Sequence, residues 1–163
     1  MKQAIALIAT LFIFSGCEAS GPWGGPAGTQ MGITKKQVGE FAVLQEIGVA
    51  EQGFALYESK QAPKMVEGAD KYQYMFTKSD ELCMTQVSLP DIKSNNPPIA
   101  EDLRAKYGAP ERDDSASWGV QWTPEKYKLD KNISKISIHF FGAKQRPDAV
   151  VSFEFTNYAE CTP

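Results

Sequence analysis

Lys71-Tyr72-Gln73-Tyr74-Met75-Phe76-Thr77, then Lys78-Ser79-Asp80-Glu81, then Leu82-Cys83-Met84-Thr85-Gln86-Val87-Ser88-Leu89 is the stretch that sets the fold class. Tyr72, Tyr74 and Phe76 alternate with Gln73, Met75 and Thr77, the period of a half-buried strand. A four-residue polar break follows and a second run returns, so the segment reads as a hairpin. With Thr77 opposite Leu82, Phe76 faces Cys83, Tyr74 faces Thr85 and Tyr72 faces Val87. One side then gathers the aromatics with Cys83 in the core, and the other shows Gln73, Met75, Met84 and Gln86.

Further strands follow the same alternation: Trp118, Val120 and Trp122; Ile136, Ile138 and Phe140; Val151, Phe153 and Phe155; and a weaker one at Phe54 to Glu58. Two stretches have helical period instead. The first starts with Thr34 as N-cap, Gln37 closing a capping box, and Ile33 against Val38 as a hydrophobic staple. It continues through Phe41, Leu44 and Ile47 to a stop at Gly48. The second begins near Pro98, carries Ile99, Leu103 and Tyr107, and ends at Gly108 with Pro110 beyond. Glu101 and Asp102 sit in its first turn, where the helix dipole favours anions, and read as end charges. The expected fold is α+β: two helices packed on a mainly antiparallel sheet of five or six strands.

The chain has 163 residues, 42% apolar and 23% charged, which fits one globular domain and excludes disorder or a polytopic membrane protein. A formal charge of −3 with no basic cluster argues against nucleic acid. A single histidine leaves little for acid–base chemistry.

Met1-Lys2 and the apolar run Ala4 to Phe14 read as a signal peptide, since eleven residues are too few to span a bilayer. Phe14-Ser15-Gly16-Cys17 resembles the lipobox of bacterial lipoproteins. The resemblance implies that residues 1–16 are removed and that Cys17 becomes a lipidated N-terminus carrying acyl chains such as palmitate. With Lys2 gone, sixteen Lys and Arg remain against 20 Asp and Glu, a mature charge of −4. Two or more chains, at roughly 0.8 kcal/mol per buried CH2, anchor stably where one would be marginal. Glu18 after the cysteine resembles the pattern sorted to the outer membrane, facing the periplasm. Residues 17–30, with four glycines and two prolines after Cys17, read as a tether, and residues 31–163 as the single domain. Those glycines lack the Gly-Lys-Ser/Thr ending of a phosphate loop.

With Cys17 assigned to lipid, Cys83 and Cys161 are an even pair in an oxidising compartment, so a disulfide is the default. Two buried thiols, or a redox or metal pair, are the alternatives. A bridge would contribute roughly 4 kcal/mol on the chain-entropy model.

The candidate chemistry is sparse. His139 shares the outward side of its strand with Ser137, and Ser152 and Glu154 face the same way on the next strand. Flat mid-strand serines offer no oxyanion site, so a solvated His139–Glu154 pair is the expectation rather than a Ser-His-Glu triad. Glu111, Asp113 and Asp114 lack the spacing of a calcium loop and read as a solvated loop. Trp118 and Trp122 read as core rather than sugar platforms. No metal site or cofactor is expected.

Gly32-Ile33-Thr34 with its helix, the aromatic hairpin, Leu103-Arg104-Ala105-Lys106-Tyr107-Gly108, and Phe153-Glu154-Phe155-Thr156-Asn157 followed by Cys161 resemble a group of small bacterial envelope lipoproteins. The helix-then-sheet architecture has a looser likeness to SmpA/OmlA-type outer-membrane assembly lipoproteins and to β-lactamase-inhibitor-like modules. These likenesses imply protein binding without catalysis. The expected function is therefore a membrane-anchored, non-enzymatic protein-binding module, an accessory of envelope assembly. The alternatives are an inhibitor or immunity-type protein against a periplasmic enzyme, or an enzyme on an envelope polymer. The expected partner surface is Gln73, Met75, Met84, Gln86, His139 and Phe141, with Ser137, Ser152 and Glu154 beside them.

Overall fold

The elements are α1 (Lys35–Gly39), β1 (Gln45–Val49), β2 (Ala55–Ser59), β3 (Lys71–Phe76), β4 (Leu82–Leu89), α2 (Pro98–Tyr107), β5 (Glu111–Arg112), β6 (Gly119–Trp122), β7 (Ile133–Ala143) and β8 (Arg146–Phe155). They come from a computed structural model that describes residues 21–49, 54–92, 97–115, 118–143 and 146–162. The leader, Cys17 and Glu18 lie outside the described residues. Among those residues no helix is long and apolar enough to cross a membrane.

The strands form one antiparallel sheet in the order β1-β2-β3-β4-β8-β7-β6-β5. The fold is thus α+β, with eight strands where five or six were expected. Each half is a helix followed by a four-strand meander, and the halves join where β4 pairs with β8, Val87 opposite Val151. One face carries the main core: Tyr72, Tyr74, Phe76 and Val87 from the first half, with Trp122, Ile136, Ile138, Val151 and Phe155 from the second. Val38 of α1 and Ala100 and Leu103 of α2 close over it.

The two extra strands lie at the sheet edges, and both were hidden for physical reasons. β5 is two residues long, too short to show a period. β1 occupies sequence expected to prolong the first helix. The capping box is present, with the Thr34 hydroxyl accepting from the Gln37 backbone and the Gln37 side chain accepting from the Thr34 backbone, yet α1 ends at Gly39. Phe41 instead turns to meet the Trp23 ring edge-on at 5.9 Å. Gln45–Val49 then pairs with β2, so tertiary contacts override the helical spacing. α2 matches its expected bounds and ends at Gly108, whose φ of 92° suits a residue without Cβ.

The segment expected as tether is packed from Trp23 onward. Trp23 is 9% exposed, and Ala27 and Thr29 are also buried. A tight turn at Pro26–Gly28 is closed by Trp23 N donating to Gly28 O at 2.8 Å. Lys64 N donates to Ala27 O at 2.9 Å, and the Thr29 hydroxyl meets the Thr85 hydroxyl of β4 at 3.0 Å. Glycine and proline preclude a long element here without precluding burial.

The β3–β4 register departs from expectation at one point. Tyr74 opposes Thr85 and Tyr72 opposes Val87, but Phe76 opposes Leu82, not Cys83. A β-bulge sets two residues, Cys83 and Met84, against Met75 alone. Leu82 keeps the core face, held by its N donating to Ile33 O at 2.9 Å, and Cys83 turns to the opposite face. There Cys83 joins Met75, Met84 and Cys161 in a second apolar cluster, flanked by Phe54, Leu56 and Tyr158. Cys83 and Cys161 form a disulfide with Cα atoms 6.6 Å apart, which straps the C-terminal turn Tyr158–Glu160 over this end of the sheet.

Candidate functional site, the open face of the sheet

The face opposite the main core is polar. Side chains directly opposite one another in a sheet share a face, so the register can be followed from edge to edge. Glu111, Gln121, Ser137, Ser152, Gln86, Gln73, Glu58 and Gln45 are successive partners, one from each strand. The row spans seven strand spacings of about 4.8 Å, roughly 34 Å. Its members bond along it. Gln86 Nε2 donates to Ser152 Oγ at 2.9 Å, Gln73 Nε2 to Glu58 Oε2 at 3.4 Å, and Gln121 Nε2 to Glu111 Oε1 at 3.5 Å. Lys71 Nζ lies 3.3 Å from Glu58 Oε2.

Beside this row His139 meets an unexpected partner. The backbone of Asp113 extends β5 by one bond, its N donating to Gly119 O at 3.1 Å, and Gly119 is in turn opposite His139. Gly119 has no side chain to block the path across β6, and Asp113 Oδ2 reaches His139 Nε2 at 2.8 Å. An ionised carboxylate only accepts, so Nε2 carries the proton and Nδ1 is the second ring position. Ser115 donates to Asp113 Oδ1 through its backbone N at 2.9 Å and its hydroxyl at 2.5 Å, and Lys135 Nζ stands 3.5 Å from Oδ2. Asp113 is 1% exposed. The solvated His139–Glu154 pair and the solvated reading of Asp113 are both corrected by this geometry.

Burial opposes ionisation of Asp113, but the hydrogen bonds from His139 and Ser115 and the Lys135 ammonium more than offset it and hold the carboxyl well below the usual range. Glu154 behaves in the opposite sense. Burial raises its pKa, Lys135 partly counters that, and Asp113 adds to it.

The expected partner residues divide by exposure. Gln73 and Gln86 stand in the polar row, and Phe141 is 52% exposed. His139 is half-buried, with the Phe141 ring edge-on at a centroid distance of 6.5 Å. Met75 and Met84 are buried beneath the disulfide-held tail, so their expected exposure is corrected. Ser137 and Ser152 are buried within the row, and Ser152 accepts from Gln86. Trp122 lies on the core side as expected, with Nε1 donating to Gly108 O at 2.9 Å, whereas Trp118 is half-buried against Phe140. A shallow pocket of about 300 Å³ opens where the two halves meet, lined by Lys71, Ser88, Phe141, Asp148 and Val150 among others. Among the described residues no group of three or more His, Cys, Asp or Glu is arranged to hold a metal ion.

Sequence reasoning missed the Asp113–His139–Lys135 cluster and the continuity of the row. Two signals were present: Glu111 and Asp113 at strand spacing, and a glycine at an outward position between Trp118 and Val120. The chain matches no protein-family model, and neither a curated protein nor a solved structure is found to be similar to it.

Proposed function

We propose that this protein is a lipid-anchored lipoprotein of the bacterial envelope that acts as a non-enzymatic protein-binding module, an accessory of envelope assembly at the outer membrane. The observation that supports this reading best is the polar row running uninterrupted across all eight strands, with exposed Phe141 and the seam pocket beside it. Protein interfaces combine an apolar or aromatic anchor with a hydrogen-bonding surround, and this face offers both. The lipobox-like Phe14–Cys17 supports the anchor.

The test is cross-linking in intact cells followed by purification of the acylated protein. A discrete protein adduct is expected, and Phe141→Asp combined with Gln86→Arg should abolish it while leaving the thermal unfolding midpoint unchanged within a few degrees. An adduct that survives these substitutions in a folded protein would place the partner surface elsewhere.

A further inference from the structure

We infer that a second copy of this chain pairs with β1, antiparallel and two-fold about Gln45, so that Ile47 of each copy seats beside Val43 of the other. The inference concerns the edge of the sheet and stands apart from the partner proposed for its open face.

A strand at the end of a sheet offers a row of unpaired N–H and C=O groups, which an added extended backbone satisfies. The sheet ends in β1 on one side and β5 on the other. β5 is two residues long and carries Glu111 and Arg112, which blunts it. β1 is five residues long, its residues Gln45 to Gly48 are exposed, and its strand neighbour among the described residues is β2. Its one charged side chain, Glu46, is drawn back across β2. Tyr57 Oη donates to Glu46 Oε2 at 2.9 Å, and Lys35 Nζ donates to the Tyr57 hydroxyl at 3.1 Å. The outer edge at Gln45 is therefore not guarded by charge.

The sequence along this edge is its own complement. Val43 and Ile47 flank Gln45 two residues to either side and are 80% and 44% exposed. Val43 forms one wall of an open pocket of about 400 Å³ with Gln45, Glu58, Lys60 and Gln61. Ile47 is the extra residue of the bulge between Glu46 and Gly48. An antiparallel pair centred on Gln45 sets Val43 opposite Ile47 of the other copy, twice, and Leu44 opposite Glu46, so that no like charges meet. Each Ile47 then faces the pocket beside the other copy's Val43, and the two Gln45 amides meet at the axis, where each can donate and accept. The bulge confines the ladder to the stretch from Val43 to Ile47, so the pair is weak, below a standard interface in area. It is also closed. Pairing consumes the longer edge of both copies and leaves the blunted β5 at each end, which gives a dimer and not a fibre. The two-fold stands perpendicular to the sheet, so both open faces point the same way and their polar rows meet at Gln45.

The test uses the mature chain with Cys17→Ser, in which an introduced cysteine is the one thiol outside the Cys83–Cys161 bridge. Side chains directly opposite have Cβ atoms about 5 Å apart, within reach of a disulfide after a small adjustment. Under mild oxidation Gln45→Cys should dimerise about tenfold faster than Ala105→Cys on α2, because pairing raises the local thiol concentration. Adding Ile47→Lys to Gln45→Cys should remove most of that advantage, and an equal mixture of Val43→Cys and Ile47→Cys chains should give the mixed dimer in preference to either homodimer. Cross-linking at Gln45 no faster than at Ala105 would overturn the pairing, and a dimer seen by sedimentation in that case would place the contact elsewhere. Faster cross-linking at Gln45 that Ile47→Lys leaves unchanged, with no preference for the mixed dimer, would overturn the seating of Ile47 beside Val43.

Discussion

The Asp113 carboxylate collects contacts from three side chains and one backbone N–H: the His139 ring, the Ser115 hydroxyl, the Lys135 ammonium and the Ser115 backbone. Asp113→Ala leaves His139 and Lys135 facing a vacated acceptor and is expected to cost on the order of 2 kcal/mol in urea unfolding at pH 7. Because the folded-state pKa of Asp113 is depressed, the native state binds fewer protons than the unfolded chain. Its stabilisation is complete above about pH 4 and is lost as the pH falls toward the folded value, so the gap between wild type and Asp113→Ala should narrow in acid. Glu154 has the reverse linkage. Its raised pKa means that a cost appears as the pH rises through and above the ordinary carboxylate range, and Glu154→Gln is expected to be neutral or stabilising at pH 7. Gly119→Val tests the path itself: a side chain between Asp113 and His139 should separate them, read as a change in the His139 ring resonances.

At the scale of elements, one bulge decides what covers what. The extra residue in β4 moves Cys83 off the aromatic face to where Cys161 can meet it. Replacing both cysteines by serine is expected to cost about 4 kcal/mol by the chain-entropy model, measured by denaturant unfolding. Met84→Asp should be destabilising by about 3 kcal/mol or more, since it buries a carboxylate in an apolar cluster. The hairpin at 72–89, α2 and the strands of β6 to β8 were legible because alternation and capping are local signals. The bulge was not, because it depends on Leu82 pairing with Ile33 nearly fifty residues earlier as well as with Phe76. β1 was misread because Val38, Phe41, Leu44 and Ile47 satisfy a helical spacing that only Trp23 and β2 overrule.

For the whole molecule, two helix-and-meander halves joined at β4 and β8 give a sheet with one face filled and one face open. The N-terminal segment belongs to the filled face. Trp23→Ala should therefore cost about 3 kcal/mol, and a chain starting at Met31 should unfold at a lower temperature than one starting at Glu18. The candidate site was legible as a set of outward positions, since Gln73, Gln86, His139 and Phe141 follow from alternation alone. Its continuity required the order of the strands, which long-range pairing sets.

The most direct test of the open face as the partner surface is site-specific photo-crosslinking in growing cells, with a benzophenone amino acid placed singly at Gln73, Gln86, Phe141 and, on α2, at exposed Ala105. The first three positions are predicted to yield an adduct with one and the same protein, and Ala105 none. Adducts from Ala105 with none from the sheet positions would contradict a binding role for the open face.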